Sequence, residues 1–476
     1  MRYLILILSF AFLFACENLL ETDPTESIDL DVATNSESGL NGLLYDMYDD
    51  MQHWQLYGSQ FICGPDLMAD NADFMRTSAW MEALWDNRQT LGLWSFVYRS
   101  INKANIIIAN GERLRAAPDL AETERLRLNQ LIGQAYALRA LFHFHLANAY
   151  AYTPTAIVEG KSKGGVPLLL EPVTALTDVV PQGRAPIMQV YEQMIADLQE
   201  AIQILGNEHS AAVNNGLIGQ AAAQGLLSRI ALYGGEWNLA GEAATAAIES
   251  QQAQLSTRSS YASDWDAVHH PEALFSLIFQ LNEPVNINAA LQRLYTSISD
   301  SDPTYQGNGP YVPSDAYLAL LDTSEVRWEI MQMGRNGRYE ITKFTGDAGA
   351  IYVDNIPVIR LSEMYLNRAE AYAQMGREAE AIADLDLLRA RALGDHFTPT
   401  VASGPELLTA IYLERRLELA FEGHRWYDLK RWGQDLDKTD LTGEYIEFET
   451  DFRWLAPIPQ QEIELNPNLE QNFGYN

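Results

Sequence analysis

IRLSEMYLNRAEAYAQMGREAEAIADLDLLRARAL, residues 359–393, reads as a helix, a glycine turn and a second helix. Tyr365, Ala369 and Tyr372 before Gly376, and Ile382, Leu385 and Ala392 after it, recur at the three- and four-residue spacing of one α-helical face. Small residues such as Ala369 let two backbones approach closely, and rings such as Tyr372 fill the next gap, which is how tetratricopeptide-type helix pairs pack. AAAQGLLSRIALYGGEWNLAGEAATAAI, residues 221–248, has the same construction, broken at Gly234-Gly235-Glu236-Trp237. The two units lie far apart and not in tandem, so the pattern predicts helix pairs with long inserts rather than a free solenoid.

The same periodicity extends upstream. It predicts a first helix from Gly39 to Met51 and a second with Trp94, Tyr98, Ile101, Asn105 and Ile108 down one face. A third opens at Asp119, which forms a capping-box pattern with Glu122, and runs through Leu126, Ile132, Tyr136, Arg139, Phe142 and Tyr150 until Pro154 stops it. Period-2 alternation is confined to short pieces, Gly164–Leu170 and Arg338–Phe344. The expected fold is therefore mainly α: tetratricopeptide-like helix pairs with long irregular inserts and few short strands. The inserts, residues 57–89 and 256–349, are rich in Asp, Asn, Gly, Pro and aromatic residues. Loops of that length on a rigid frame are more often functional than decorative.

The chain has 476 residues, 47% apolar and 10% aromatic, enough for one large core or two moderate ones. Sixty-four acidic against thirty-two basic residues leave a formal charge of −32, which repels phosphate backbones and anionic headgroups and argues against nucleic acid as a partner. An anionic glycan would need a local basic patch. Such acidity suits a salt-rich habitat, where screening weakens self-repulsion.

Met1-Arg2 precedes an apolar run from Tyr3 to Phe14, broken only by Ser9, and then Ala15-Cys16. The run is too short to span a bilayer and reads as a secretory signal, residues 1–15. Leu13-Phe14-Ala15-Cys16 resembles the bacterial lipobox, with Phe14 bulkier than that pattern's usual residue; a plain secretory signal cut near Ala15 is the other reading. Acylation at Cys16 would tether the mature chain to the lipid bilayer, each buried methylene adding about 0.8 kcal/mol. Residues 16–38 carry seven acidic residues and no Lys or Arg, an acidic tether below a single domain, 39–476. Cys63 is the sole other thiol, so the exported body is expected to hold together without an intrachain disulfide.

ERRLELAFEGHRWYDLKRW, residues 414–432, concentrates Arg415, Arg416, Glu418, Glu422, His424, Arg425, Asp428, Lys430 and Arg431. The stretch is expected to be structural: a Ser403/Glu406 capping box starts a helix, Leu413, Leu417, Ala420 and Phe421 bury one face, and Gly423 ends it. Arg415 and Glu418 lie one turn apart and can pair, whereas Glu414, Glu418 and Glu422 repel along one face unless neighbours supply cations.

This stretch with Arg360–Tyr372, the ending Pro457-Ile458-Pro459, Glu462-Ile463, Asn466-Pro467-Asn468-Leu469, Gln471-Asn472 and Gly474-Tyr475, and upstream Trp94–Tyr98, Ile101–Asn105 and Gly165–Leu168, resembles the SusD/RagB family of outer-membrane nutrient-binding lipoproteins. The resemblance runs from Cys16 to Tyr475. It implies four tetratricopeptide-like helix pairs as a scaffold and inserts forming a second face. It also implies a place on the surface of Bacteroidota-type cells, as a lid over a SusC-like TonB-dependent transporter to which oligosaccharide is presented, and binding without cleavage.

Sugar binding needs flat apolar faces to stack on pyranose rings, flanked by amides or carboxylates for the hydroxyls. The first insert supplies that mixture in Trp80 and Trp85, near Asp70, Asn71 and Asp73, with Trp54 and Tyr57 just upstream; the second offers Trp265, Tyr295, Tyr305 and Tyr311 beside Asn308. Packing in the core or inside an insert is the other reading of any one of these rings, and for Trp80 and Trp85 the two readings weigh equally. Trp94, Trp237, Trp426 and Trp432 lie on or beside helix pairs and are expected in the core. No cofactor or metal is expected. His143 and His145 are two apart on a helix and point to different sides, His269-His270 before Pro271 reads as a turn, and Asp300, Asp302 and Asp322 lack EF-hand spacing. No P-loop, dinucleotide loop or nucleophile elbow occurs. The leading expectation is a glycan-capturing lipoprotein; capture of a peptide or glycopeptide on the same fold, and glycoside hydrolysis, are the alternatives.

Overall fold

A computed structural model of the chain describes residues 34–75, 93–206, 216–280, 285–286, 288–298, 305, 307–346 and 351–475. The expected signal segment, Cys16 and most of the acidic tether lie outside the described residues, as do Trp80 and Trp85.

The helices follow the apolar periodicity. Helix α1 (Glu37–Gln52) starts at Ser36, whose hydroxyl accepts the Gly39 N–H at 3.1 Å, and turns Leu40, Leu44, Met47 and Met51 inward. Then come α2 (Gln60–Met68), α3 (Leu93–Arg115), α4 (Glu122–Tyr150), α5 (Ile187–Leu205), α6 (Gln220–Gly234), α7 (Trp237–Glu249), α8 (Leu361–Gln374), α9 (Glu378–Leu393), α10 (Gly404–Glu418) and α11 (Arg425–Trp432). Shorter helices span Leu291–Tyr295, Asp315–Leu318 and Gln460–Leu465. Gly235 and Gly376, at φ +80° and +75°, make the left-handed turns that end α6 and separate α8 from α9, where the sequence places them.

Each long helix packs on the next: α3 on α4, α4 on α5, α5 on α6, α6 on α7 and α8 on α9 and α10. The two quoted helix pairs, remote in sequence, meet through α7 and α8. A Cβ on Gly241 would lie 3.3 Å from the Tyr372 ring, so Gly241 is the flat spot that lets the tyrosine in. The main apolar core draws on Leu40, Trp94, Leu141, Leu226, Phe275, Tyr295, Met364 and Trp454.

Sheet structure among the described residues is four two-stranded antiparallel ladders. Strand β1 (Ala72–Phe74) pairs with β3 (Tyr311–Pro313), joining the two inserts, and β2 (Ala273–Leu277) with β6 (Ile356–Arg360). β4 (Met331–Met333) pairs with β5 (Tyr339–Ile341), inside the Arg338–Phe344 stretch where alternation predicts a strand, and β7 (Leu436–Lys438) with β8 (Glu444–Ile446).

Some local expectations are corrected. Gly164–Leu170 forms no strand: Gly165 and Val166 bond the Ala185 backbone at 2.7 and 3.2 Å, and the carbonyls of Gly165, Pro167 and Leu169 accept from the side chains of Arg184, Tyr98 and Asn105. The cap of α4 lies two residues past Asp119, with the Ala121 N–H donating to the Glu124 carboxylate at 3.2 Å. Ser403 makes no side-chain cap of α10; the neighbouring Gly404 N–H donates to Glu378 of α9 at 2.7 Å. Leu413 is 42% exposed, and the buried face of α10 uses Leu407, Ile411 and Leu417. Among the described residues no helix is long and apolar enough to cross a membrane.

Candidate functional site

The charged motif at 414–432 is interior structure. Glu418, fully buried, meets Arg327, Arg360 and Arg391 at 2.9, 2.8 and 2.7 Å, and Glu422 meets Arg360 and Lys343 at 2.7 and 2.5 Å. Arg360 and Arg391 share Glu272 at 3.0 and 2.7 Å. Burial alone would raise the Glu418 pKa, but the three arginines hold it well below the usual carboxylate range. The cations expected from neighbours therefore arrive, from β6, α9 and the second insert. The expected Arg415–Glu418 pair does not form: Arg415 turns to Asp428 at 2.9 Å and Asn367 at 2.6 Å. Arg431 bridges Glu370 and Asp428 at 2.5 and 2.8 Å.

Gly423 ends the turn after α10 rather than the helix itself, at φ +87°, where a Cβ would lie 2.3 Å from the Phe61 carbonyl oxygen. Gly423→Ala is expected to lose roughly 2 to 3 kcal/mol of stability from backbone strain and the displaced α2 backbone, read as a lowered urea midpoint.

Four of the sequence-predicted site residues, Asp70, Asn71, Tyr57 and Tyr305, have partners within the fold. Both Asp70 carboxylate oxygens face arginines, Arg425 at 2.7 Å and Arg416 at 3.0 Å. Asn71 is buried between Asp66, to which its amide donates at 2.8 Å, and Arg416, whose Nε donates to it at 2.8 Å. Tyr57 is buried with its hydroxyl 3.2 Å from His145, and Tyr305 is buried with its hydroxyl 3.4 Å from the Thr296 carbonyl. Trp265, Tyr295 and Tyr311 are buried too, around Phe344 and Phe421, so the second insert packs its rings into the main core.

Trp54 differs. It is 40% exposed and sits where α1 gives way to the turn before α2, its ring centroid 5.6 Å from His53, which lies 4.9 Å from Phe96. These rings line a hollow of about 350 Å³ with Asp49, Asp50, Gln52, Phe279, Val285 and Asn286. Burial lowers the His53 pKa, and the carboxylates of Asp50 and Asp49 act against that. Asp50 is fixed by the Ser100 hydroxyl at 2.5 Å and Lys103 at 2.7 Å, and Gln52 donates to the Ile278 carbonyl at 3.0 Å. A flat ring above fixed carboxylates and amides is the arrangement that sugar hydroxyls and ring faces need.

A second hollow of about 760 Å³ adjoins it, sharing Asp49 and Gln52 and extending to Tyr45, Leu217, Val268, His269 and Gln280. The sequence reading missed Tyr45, Asp49, His53 and Phe96. The available signal was Tyr45 and Asp49 at i, i+4 on the α1 face away from Leu40, Leu44 and Met51. Among the described residues no cluster of three or more His, Cys, Asp or Glu side chains is placed to hold a metal ion.

Comparison with known proteins places this architecture. Residues 293–475 match the model of the SusD family, and residues 19–232 match a model described as starch-binding, associating with outer membrane. SusD-like protein P38 of Formosa agariphila is 24% identical across 99% of this chain and 98% of its own length. The starch-binding protein SusD of Bacteroides thetaiotaomicron is 33% identical over a shorter stretch, 26% of this chain and 23% of its own. A solved SusD superfamily structure from Bacteroides thetaiotaomicron superposes with a TM-score of 0.78 at 28% identity, covering 92% of this chain and 99% of that one. A Bacteroides vulgatus structure gives 0.78 and 28%, covering 93% and 99%. The chain belongs to the SusD/RagB family, and its mainly helical fold is that of the SusD superfamily.

Proposed function

We propose that the protein captures oligosaccharide at the cell exterior and delivers it, uncleaved, to a SusC-like TonB-dependent outer-membrane transporter. The observation that carries this reading is Trp54, a large ring left exposed at the mouth of a hollow whose polar walls are fixed by the fold. Trp80 and Trp85, in the first insert, are further candidates for stacking on the sugar. The Bacteroides thetaiotaomicron relative, a starch-binding protein, supports the same ligand class. Residues 1–15 act as the signal, Cys16 carries the acyl anchor, residues 16–38 form the tether and residues 39–476 one body. An exposed apolar surface suits a protein partner: Leu176, Val179 and Val180 on one segment, and Leu465 on the turn that Asn466 and Asn468 tie to Gln182 and Pro181.

The test is a panel of glycans and peptides offered to the mature chain, followed by calorimetry on the best ligand. Trp54→Ala is expected to weaken binding about tenfold, or roughly 1.4 kcal/mol, with the thermal midpoint unchanged, and Trp80→Ala and Trp85→Ala to act in the same direction. Undiminished binding in all three variants would show that the ligand sits elsewhere, and tight capture of peptide instead of sugar would replace the ligand class.

A further inference from the structure

The larger hollow, on the Tyr45 side of α1, is used by nothing described so far. We propose that it is a sugar subsite in its own right, continuous with the Trp54 hollow, and that the two together take an uncharged oligosaccharide chain and turn away sulfated and uronic ones. The inference rests on the glycan-capture reading and adds a place and a charge class to it.

Three observations support it. The hollows meet at Asp49 and Gln52, so a chain laid over Trp54 runs on into the second space without leaving the surface. Their volumes, about 350 and 760 Å³, are each of ligand-site size. At the far end Tyr45 is 53% exposed, a second ring standing beside the space as Trp54 stands beside the first, with Leu217 and Val268 as apolar walls and Gln280 and His269 as hydrogen-bonding groups.

The charge class follows from the walls. Asp46, Asp49 and Asp50 line the two hollows, and among the described residues no Lys or Arg lines either. Of the cations nearby, Lys103 holds Asp46 and Asp50 at 2.6 and 2.7 Å, and Arg99 is exposed with its guanidinium 5.7 Å over the Phe96 ring. A sulfate or uronate here would be desolvated beside the carboxylates of Asp46, Asp49 and Asp50, in a protein of net charge −32. Sugar hydroxyls, by contrast, donate to carboxylates.

The experiment uses the mature chain against immobilised starch, β-glucan, mannan, xylan and galactan beside carrageenan, alginate, polygalacturonate and basic peptides, then calorimetry with a length series from the best binder. The expected result is a tightest ligand that is uncharged. Tyr45→Ala should then weaken its long oligosaccharides tenfold or more while leaving the shortest bound fragment within twofold, and Trp54→Ala should weaken both. A tightest ligand that is sulfated, uronic or a basic peptide overturns the inference. So does an unchanged affinity of Tyr45→Ala for the long chain while Trp54→Ala weakens it, an outcome that leaves the capture reading standing. Absence of binding to every glycan overturns both.

Discussion

Replacing Arg431 by Met is expected to lower the folding free energy by about 3 to 5 kcal/mol, the usual consequence of stranding one member of a buried ion pair. Arg431 is buried, and both its terminal nitrogens bond the carboxylate of Glu370, which is fully buried, at 2.5 and 2.7 Å. Without it, Glu370 keeps the Trp432 indole N–H at 3.1 Å, a neutral donor for a full charge. Asp428 fares better, because Arg415 still reaches it at 2.9 Å. The Tyr233 ring, 4.9 Å from the guanidinium, loses its cation as well. Urea unfolding should show the loss as a lower midpoint at an unchanged slope. The double variant with Glu370→Leu should recover a large part of it, since removing both charges removes the desolvated one. A loss below 1 kcal/mol in the single variant would mean that the cluster is not the buried lattice described.

Acid should destabilise the protein in two stages. Burial holds the imidazoles of His143 and His270 at a pKa of about 4 and that of His145 at about 3, and pushes His424 well down. A histidine with a depressed folded pKa takes its proton more readily in the unfolded chain, so its stabilisation is complete above about 6.5 and drains as pH falls through the folded value. Asp66 and Asp354 oppose this: burial raises both to about 6, so they take up protons first in the folded state and return stability between about 6 and 4. Four histidines against two carboxylates leave a net loss between pH 6.5 and 4.5. Below that, the ion-paired carboxylates join: burial alone would raise Glu272, but Arg391 and Arg360 hold it at about 2, so its contribution lasts above about 4.5 and fades toward 2. A thermal midpoint recorded from pH 7 to 3 should fall throughout and steepen below 4.5. A midpoint that is flat from 6.5 to 4.5 would contradict the buried neutral imidazoles.

The helix pairs were legible because their signal is repetitive: alanines and rings at helical spacing leave little else for Ala221–Ile248 and Ile359–Leu393 to be, and Gly235 and Gly376 mark their turns. The structural role of residues 414–432 was legible too, because three glutamates on one face demand cations. Their donors were not, since Arg327 and Lys343 come from an insert whose path no local pattern encodes. Single caps went astray for the same reason: α10 receives Glu378 from a neighbouring helix instead of its own Ser403.

The site was harder. Composition marks a ring-rich insert, yet Tyr305, Tyr295 and Trp265 are buried, the last two in the main core, where Tyr295 meets Phe421 from outside the insert. Asp70 and Asn71 look like ligand groups beside aromatic residues until Arg416 and Arg425, remote in sequence, are seen to hold them. Tyr45 was overlooked because α1 was read for the face it buries, not for the one it leaves out.

The central claim is that this body retains sugar through Trp54 and its fixed polar neighbours and leaves it intact. Calorimetric titration of the mature chain with the panel's best oligosaccharide, followed by chromatography of the recovered sugar, tests it most directly. Saturable binding that weakens about tenfold in Trp54→Ala, with sugar of unchanged length, is the predicted result; sugar returned shortened, or no heat from any glycan, would contradict it.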